Sequence, residues 1–466
     1  MRFAPLTALA FAALAFPAAA ETPSYPAAEA QVLDLSKQAI ALRSVRGEGN
    51  QTPQVAELFR QALLAGGWAE SDIDIVPVDD TAYIVAAWPG SDPSLGPIVV
   101  SAHMDVVEAK PEDWERDPFT PVVEDGYLFG RGASDTKFDA VLAMSSLIDL
   151  RRSGFEPKRS IVIAYSGDEE TTMKTSRAIT DRLRDAALVL NVDGASGMFD
   201  DDTGRPLFWT WQGAEKTYVD FQLEVTNPGG HSSAPRPDNA IVDLSNALAR
   251  IGAYRFKPEL NDITRESLSK GADLVPDPEL AAAMRAFAAD PTDEEAISVL
   301  RADPGMIGQI GTTCVPTMVN GGHAENALPQ RATAIVNCRI FPGHSIEEIM
   351  GELEQVAAEP KIEFSDFTGE DTIAAPASPL IPEYVAIFSR GIEKAWGEMP
   401  IFPAQSAGAS DSMWYRAAGI PSYSVSPTFV RPKDEFSHGL NERVELRNIR
   451  PGITYYLSVF TDLASQ

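Results

Sequence analysis

The sequence predicts an α/β fold, in which a mostly parallel layered α/β sheet is interrupted by an inserted α+β domain. Three observations carry that prediction. The short apolar runs 97–102, 160–165 and 187–190 suit strands covered on both faces, as parallel strands usually are. Helical patterns separate them, at 140–150 (Val141, Leu142, Met144, Leu147, Ile148) and at 176–183, and strands alternating with helices build a layered sheet. From residue 217 the period changes. Val219, Phe221, Leu223 and Val225 alternate with Asp220, Gln222 and Glu224, the pattern of an antiparallel sheet wet on one side.

Taken in order, residues 1–20 stand apart. Met1-Arg2, an apolar run over 3–16 and Ala18-Ala19-Ala20 before Glu21 make a secretory signal peptide cut after Ala20. The run falls short of the ~20 apolar residues that a membrane span needs. The expected location is therefore periplasmic or secreted. Residues 21–213 and 369–466 form the first domain and 214–368 the insertion. Within the insertion we expect a helix near 240–251, an Ala-rich helical stretch at 278–302 and a helix at 346–357. The Pro- and acid-rich 367–379 returns the chain, and a helix at 380–396, a strand at 422–426 and a helix at 448–463 rejoin the first domain. Cys314 and Cys338, the only cysteines, flank a hairpin whose turn centres on residue 326, which makes them cross-strand partners. They either bridge in an oxidising compartment or are two small buried hydrophobes.

Composition narrows the function. Against 38 Lys+Arg stand 67 Asp+Glu, a net charge of −29, which excludes a phosphate-binding surface and so nucleic acid. Recurrent apolar runs exclude low-complexity disorder. No later segment is long and apolar enough to span a membrane.

The residues suited to chemistry gather at the ends of the predicted strands, where ligands bind in open α/β sheets. His103 and Asp105 follow the first strand, so that one can bind metal while the other holds the imidazole. Asp135 lies in Gly130-Arg131-Gly132-Ala133-Ser134-Asp135-Thr136-Lys137, which lacks the spacing of a nucleotide loop and opens a helix. Gly167-Asp168-Glu169-Glu170 follows the second strand, Asp193 the third, and His438 lies in the returning segment. Taken singly, each is an ordinary strand-end or capping residue. Brought to one rim, they make a two-metal site with mixed N/O ligands and no thiolate, which zinc fits best and manganese or cobalt also fit.

These motifs, with Trp114, Asp117-Pro118-Phe119, Asn191-Val192-Asp193 and Gly229-Gly230-His231-Ser232-Ser233, resemble the di-zinc aminoacylase/carboxypeptidase metallopeptidases. That family includes glutamate carboxypeptidase, succinyl-diaminopimelate desuccinylase, carnosinase and aminoacylase, and the resemblance covers nearly all of the chain after residue 20. It implies that His103 and Asp193 bind one zinc, Glu170 and His438 the other, and that Asp135 bridges them, followed by a cis peptide. Asp105 would orient His103, and Glu169 would be the general base on a metal-bridging water. The insertion would be a lid and dimerisation domain, implying a homodimer. Its His231 would steady the oxyanion, often across the dimer, while Asn326 and Arg339 would contact substrate polar groups or carboxylate. Ser410 and Asp411, in Ala407-Gly408-Ala409-Ser410-Asp411, resemble pocket-wall residues. Thr136, Thr171-Thr172 and Gly194 depart from the family's usual residues without removing a ligand. The implied activity is amide hydrolysis of small peptides, of carboxypeptidase or dipeptidase type; the alternatives are N-acyl-amino-acid hydrolysis and, more remotely, a non-catalytic metal-binding protein.

Overall fold

The computed structural model describes residues 23–434 and 436–466. The expected signal peptide lies outside them. The main sheet has ten strands, in the order Ile73–Val78, Thr81–Trp88, Ile161–Ser166, Ile98–His103, Leu188–Asn191, Ser422–Ser424, Pro206–Glu215, Ser196–Phe199 and Phe429–Val430, with Ile401–Ser406 paired to Pro206–Glu215. Its four central strands, from Ile161–Ser166 to Ser422–Ser424, are parallel. Towards both flanks antiparallel pairs appear, so the whole sheet is mixed.

The sequence shows why the centre is parallel. Every residue of Ile98–His103 and Ile161–Ser166 is buried, as an apolar strand covered on both faces requires. One cover is the helix Lys137–Arg152, itself buried over most of its length beneath Pro26–Ile40 and Ile449–Ala464. On the other face a smaller core packs Ile179, Leu183 and Tyr415 against Val99, Val162 and Val189.

Within the insertion, Thr313–Gly321, Arg331–Ile340, Thr217–Thr226 and Ile362–Asp366 form an antiparallel four-stranded sheet. Val219, Phe221, Leu223 and Val225 point to the helices Ala240–Ala253 and Ile346–Ala357, while Asp220, Gln222 and Glu224 remain partly exposed. That alternation is the one read from the sequence. The expected stretch 278–302 is two helices, Pro278–Ala289 and Glu294–Ala302. Pro291 falls between them, and the Asp293 side chain accepts the Ala296 amide to start the second. Cys314 and Cys338 face each other in register and are joined as a disulfide, which resolves the two readings of that pair. The helices Pro26–Ile40 and Thr52–Ala65 and the edge strands at 73–88 had no counterpart in the sequence reading.

Helix Lys137–Arg152 also buries Asp139, whose carboxylate meets Thr428 and Ser426. Burial pushes it up to about 7, well above its ordinary value near 3.8. A carboxyl group raised on folding contributes stability below its unfolded value and loses it as pH climbs through the folded one. Asp139→Asn is therefore expected to melt above the wild type at pH 8, with the gap closing towards pH 5. Calorimetry at the two pH values checks this, and a gap of constant size would contradict it.

Candidate active site

The strands Ile98–His103, Ile161–Ser166 and Leu188–Asn191 run in the same direction and stop at the same edge, His103 standing opposite Ser166. Their following loops therefore open together. Gly167 makes the middle exit feasible: a Cβ there would lie 2.1 Å from the Ala82 carbonyl oxygen. Next to it, the Asp168 carboxylate accepts the amides of Lys174 (2.9 Å) and Thr175 (3.0 Å), which ties the acidic loop to the helix Lys174–Arg182.

Asp105 joins the first two loops. Its carboxylate accepts the amides of Glu169 at 3.1 Å and Glu170 at 3.0 Å. His103 Nδ1 lies 3.0 Å from the Asp105 backbone carbonyl and 3.6 Å from its carboxylate. A carbonyl only accepts, so Nδ1 carries the proton and Nε2 presents its lone pair outward. The orienting contact expected of Asp105 is thus made chiefly by its backbone, and its side chain holds the Glu169-Glu170 turn.

Around that nitrogen the remaining expected ligands assemble. His103 Nε2 is 2.9 Å from Asp135 Oδ1 and 4.0 Å from Asp193 Oδ2. The other Asp135 oxygen, Oδ2, is 3.2 Å from His438 Nε2, which is 3.0 Å from Glu170 Oε2. Asp135 therefore stands between two groups, His103 with Asp193 on one side and His438 with Glu170 on the other. Ligand atoms of His103, Asp135 and Glu170 all lie within 4.8 Å of one another. The Asp135–Thr136 peptide is cis, as the resemblance implies.

The electrostatics follow from crowding acids at a buried edge. Burial lifts Glu169 and Asp193 well above the usual carboxylate range, and neighbouring carboxylates add to it; Glu170 is raised for the same reason. Asp135 is held low despite burial, by its contacts with His103 and His438. Hydrogen bonds to Asp135 and Glu170 raise His438 to about 10. Burial alone would lower His103, but Asp105 and Asp135 keep it raised. Carboxylates that raise one another's proton affinity attract any cation. Two imidazoles and three carboxylates without a thiolate fit a divalent metal such as zinc, manganese or cobalt.

Glu169 is buried, and no hydrogen bond reaches its carboxylate among the described residues. A carboxylate free of structural partners beside a cluster able to hold a metal suits proton transfer.

Three further expected site residues make contacts of their own. His231 is exposed on a two-stranded ribbon, pairing with Ala327, and its Nδ1 accepts the Ser233 amide at 3.1 Å. Asn326 adjoins it, its carbonyl accepting the Ser232 amide. Arg339 stacks on Tyr218, 4.6 Å from the ring centroid, and donates to the Ala407 carbonyl at 2.7 Å. Among the described residues, none of the three bonds to the five ligands.

Ser410 and Asp411 are buried, only 5% and 3% exposed, and the Asp411 carboxylate lies near enough to the cluster to raise Glu169 and Asp193. Ser410 donates to Glu215 and accepts from Asn191 at 3.1 Å, and Asp411 accepts from Ser166 at 2.7 Å. The loop turns them inward because Glu215, Asn191 and Ser166 offer partners beneath the sheet edge.

One residue near the cluster went unread in the sequence. Glu442, fully buried, accepts the amides of Gly132, Ser134 and Asp135. Its position four residues beyond His438 was the available signal.

The model of peptidase family M20/M25/M40 matches residues 99–462. The chain is 27% identical to the human N-fatty-acyl-amino acid synthase/hydrolase PM20D1 over 77% of this chain and 72% of that one. It is 26% identical to a probable carboxypeptidase S-like 2 of Dictyostelium discoideum, over 80% and 73% of the two chains. Among solved structures, an M20 family metallo-carboxypeptidase, Sso-CP2 of Sulfolobus solfataricus, superposes with a TM-score of 0.69 over 92% of this chain and 98% of that one, at 18% identity. Human carnosine dipeptidase 1 does so with a TM-score of 0.60 over 94% and 96%, at 17% identity. Identities this low speak to the fold alone.

Proposed function

The chain belongs to peptidase family M20/M25/M40, and from that premise we propose that it is a dinuclear-metal hydrolase of small peptides, cutting the amide bond next to a free C-terminal carboxylate. The observation that carries the reading is Asp135, whose two oxygens face His103 with Asp193 and His438 with Glu170 respectively. In this reading His103 and Asp193 would hold one cation and Glu170 and His438 the other, with Asp135 standing between them. Zinc is the metal proposed. Bound there, the pair would polarise the scissile carbonyl and acidify a water. Glu169 would accept a proton from the attacking water and return it to the leaving nitrogen.

A second reading, hydrolysis of N-acyl amino acids, is favoured by the relatives named N-fatty-acyl-amino acid synthase/hydrolase. Both readings share a leaving amino acid with a free carboxylate, which Arg339 on the insertion would attract.

We further read 214–368 as a lid and dimerisation domain and the active form as a homodimer, in which His231 would reach the site of the neighbouring copy and meet the developing oxyanion. In support, the edge strand Thr313–Gly321 exposes Val315, Met318 and Val319 (58%, 59% and 64%) beside Ile241 and Val242 of a helix. A sheet edge with an apolar rim is a ready pairing surface. Export with cleavage after Ala20 completes the reading.

The test is a hydrolysis screen of dipeptides, longer peptides and N-acyl amino acids on zinc-loaded and chelated protein. Cleavage that survives thorough chelation would end the metal reading. On the same preparations, light scattering should give the mass of two chains, and Val319→Lys the mass of one; a monomeric wild type would refute the dimer. A mature chain that does not begin at Glu21 would refute the cleavage site.

A further inference from the structure

Glu442 lies in the returning segment, 307 residues beyond Asp135, yet it is the point at which the two loops of the site are laced together. Its Oε1 accepts the Ser134 amide at 2.7 Å, the Ser134 hydroxyl at 3.0 Å and the Asp135 amide at 3.0 Å. Its Oε2 accepts Arg131 Nη1 at 2.7 Å and the Gly132 amide at 3.0 Å. The same loops meet at two further points: the Gly130 amide donates to the Glu442 carbonyl at 3.0 Å, and the Arg131 side chain donates through Nη2 to the Gly439 carbonyl at 3.2 Å. All five contacts of the Glu442 carboxylate run from the segment that carries Asp135 to the segment that carries His438.

We propose that Glu442 is a positioning residue that sets Asp135 in register with His438, and that tight binding of the cation shared by Asp135, Glu170 and His438 depends on it. The inference rests on the two-metal reading above. The physical reason is that the antiparallel pair of Tyr127–Phe129 with Arg443–Glu445 ends at Phe129 and Arg443, and beyond it, where Asp135 and His438 lie, neither loop is regular and the Glu442 carboxylate carries the link between them. His438 is more than half exposed on its own loop, and without an anchor its side chain would sample positions away from Asp135. A carboxylate is required, because five donors converge on two oxygens that must both accept. An amide of the same shape would keep one acceptor and turn an NH2 group towards Arg131 and the Gly132 amide. Partners behind metal ligands commonly change metal affinity by roughly 10- to 100-fold.

The experiment is a zinc titration of the full chain in chelator-buffered solution, with the absorption spectrum of the cobalt-substituted protein as a second readout. Wild type should bind two zinc ions. Glu442→Gln should bind one as tightly as wild type and the other at least roughly tenfold more weakly, with an altered cobalt spectrum. Glu442→Asp, which keeps the charge beside Arg131 but draws the carboxylate back from the Ser134 and Asp135 amides, should weaken the same ion, and it carries the test if the Gln variant does not fold. Asp434→Asn is the structural control. Asp434 is a buried carboxylate on the same segment, bonded to Tyr127 and Arg443 rather than to the Gly130–Asp135 loop, so its loss should lower the melting temperature and leave both zinc affinities unchanged. Two zinc ions held at wild-type affinity by both Glu442 variants would overturn the inference while leaving the two-metal reading intact. A wild type that fails to bind a pair of ions would overturn both.

Discussion

Glu169→Ala should keep its fold and its metal while losing turnover by roughly 100- to 10,000-fold, about 3–5 kcal/mol of transition-state stabilisation. The expectation of an intact fold is as specific as the loss of rate. Among the described residues no hydrogen bond reaches the Glu169 carboxylate, so truncating it breaks no contact that holds the fold. Deleting it removes a group that does little for stability. Its backbone amide, which Asp105 anchors, is unaffected by the substitution, and so the turn that presents Glu170 is unaffected too. Because a base acts on the proton in flight, kcat should fall with little change in KM. Steady-state kinetics, metal analysis and thermal melting on one preparation check all three statements. Full turnover in the variant would remove Glu169 from the mechanism.

Glu215→Ala should be among the most destabilising single changes in the chain, by roughly 3–5 kcal/mol. Glu215 ends the strand Pro206–Glu215, where the chain leaves for the insertion, and its carboxylate pairs with Arg416 while accepting from Ser410. Both charged groups are nearly inaccessible, at 3% and 5% exposure. Breaking such a pair from one side strands a guanidinium without water, which costs more than the pair contributes when intact. Glu215→Gln, which keeps an acceptor for Arg416, should lose less. Denaturant titration of the two variants gives the ordering, and equal stabilities would show that the charge at Glu215 is immaterial. Ser410 would lose a partner in both, so the change should also reach Asn191 and, through it, the amide of Asp193.

How much of this was legible beforehand depended on how local the signal was. Apolar runs and their periods report which face of a segment is buried, so the central strands, the helix after Asp135 and the alternation at 217–225 could be read residue by residue. The break at Pro291 within 278–302 is also local, and turn chemistry rather than apolar period was the cue for it. Pro26–Ile40 and Thr52–Ala65 went unread, although both are amphipathic and carry Pro in the first turn. The cross-strand placement of Cys314 and Cys338 followed from counting residues about a turn, but whether they bond depends on the paired strands bringing the two sulfurs together.

The sequence by itself determined that acids and histidines would stand at strand ends on one edge, because parallel strands with buried faces must all deliver their carboxyl ends to the same side. Only the tertiary structure decided which side chains look into that edge and which look away. Ser410 and Asp411 turn beneath it, His231 and Asn326 lie on a separate ribbon, and Glu442 closes the loop around Asp135 from the far end of the chain. The reason is that spacing along a chain fixes the direction of a side chain within its own element. A hydrogen-bond partner supplied by an element hundreds of residues away is chosen by packing, and no local period encodes it.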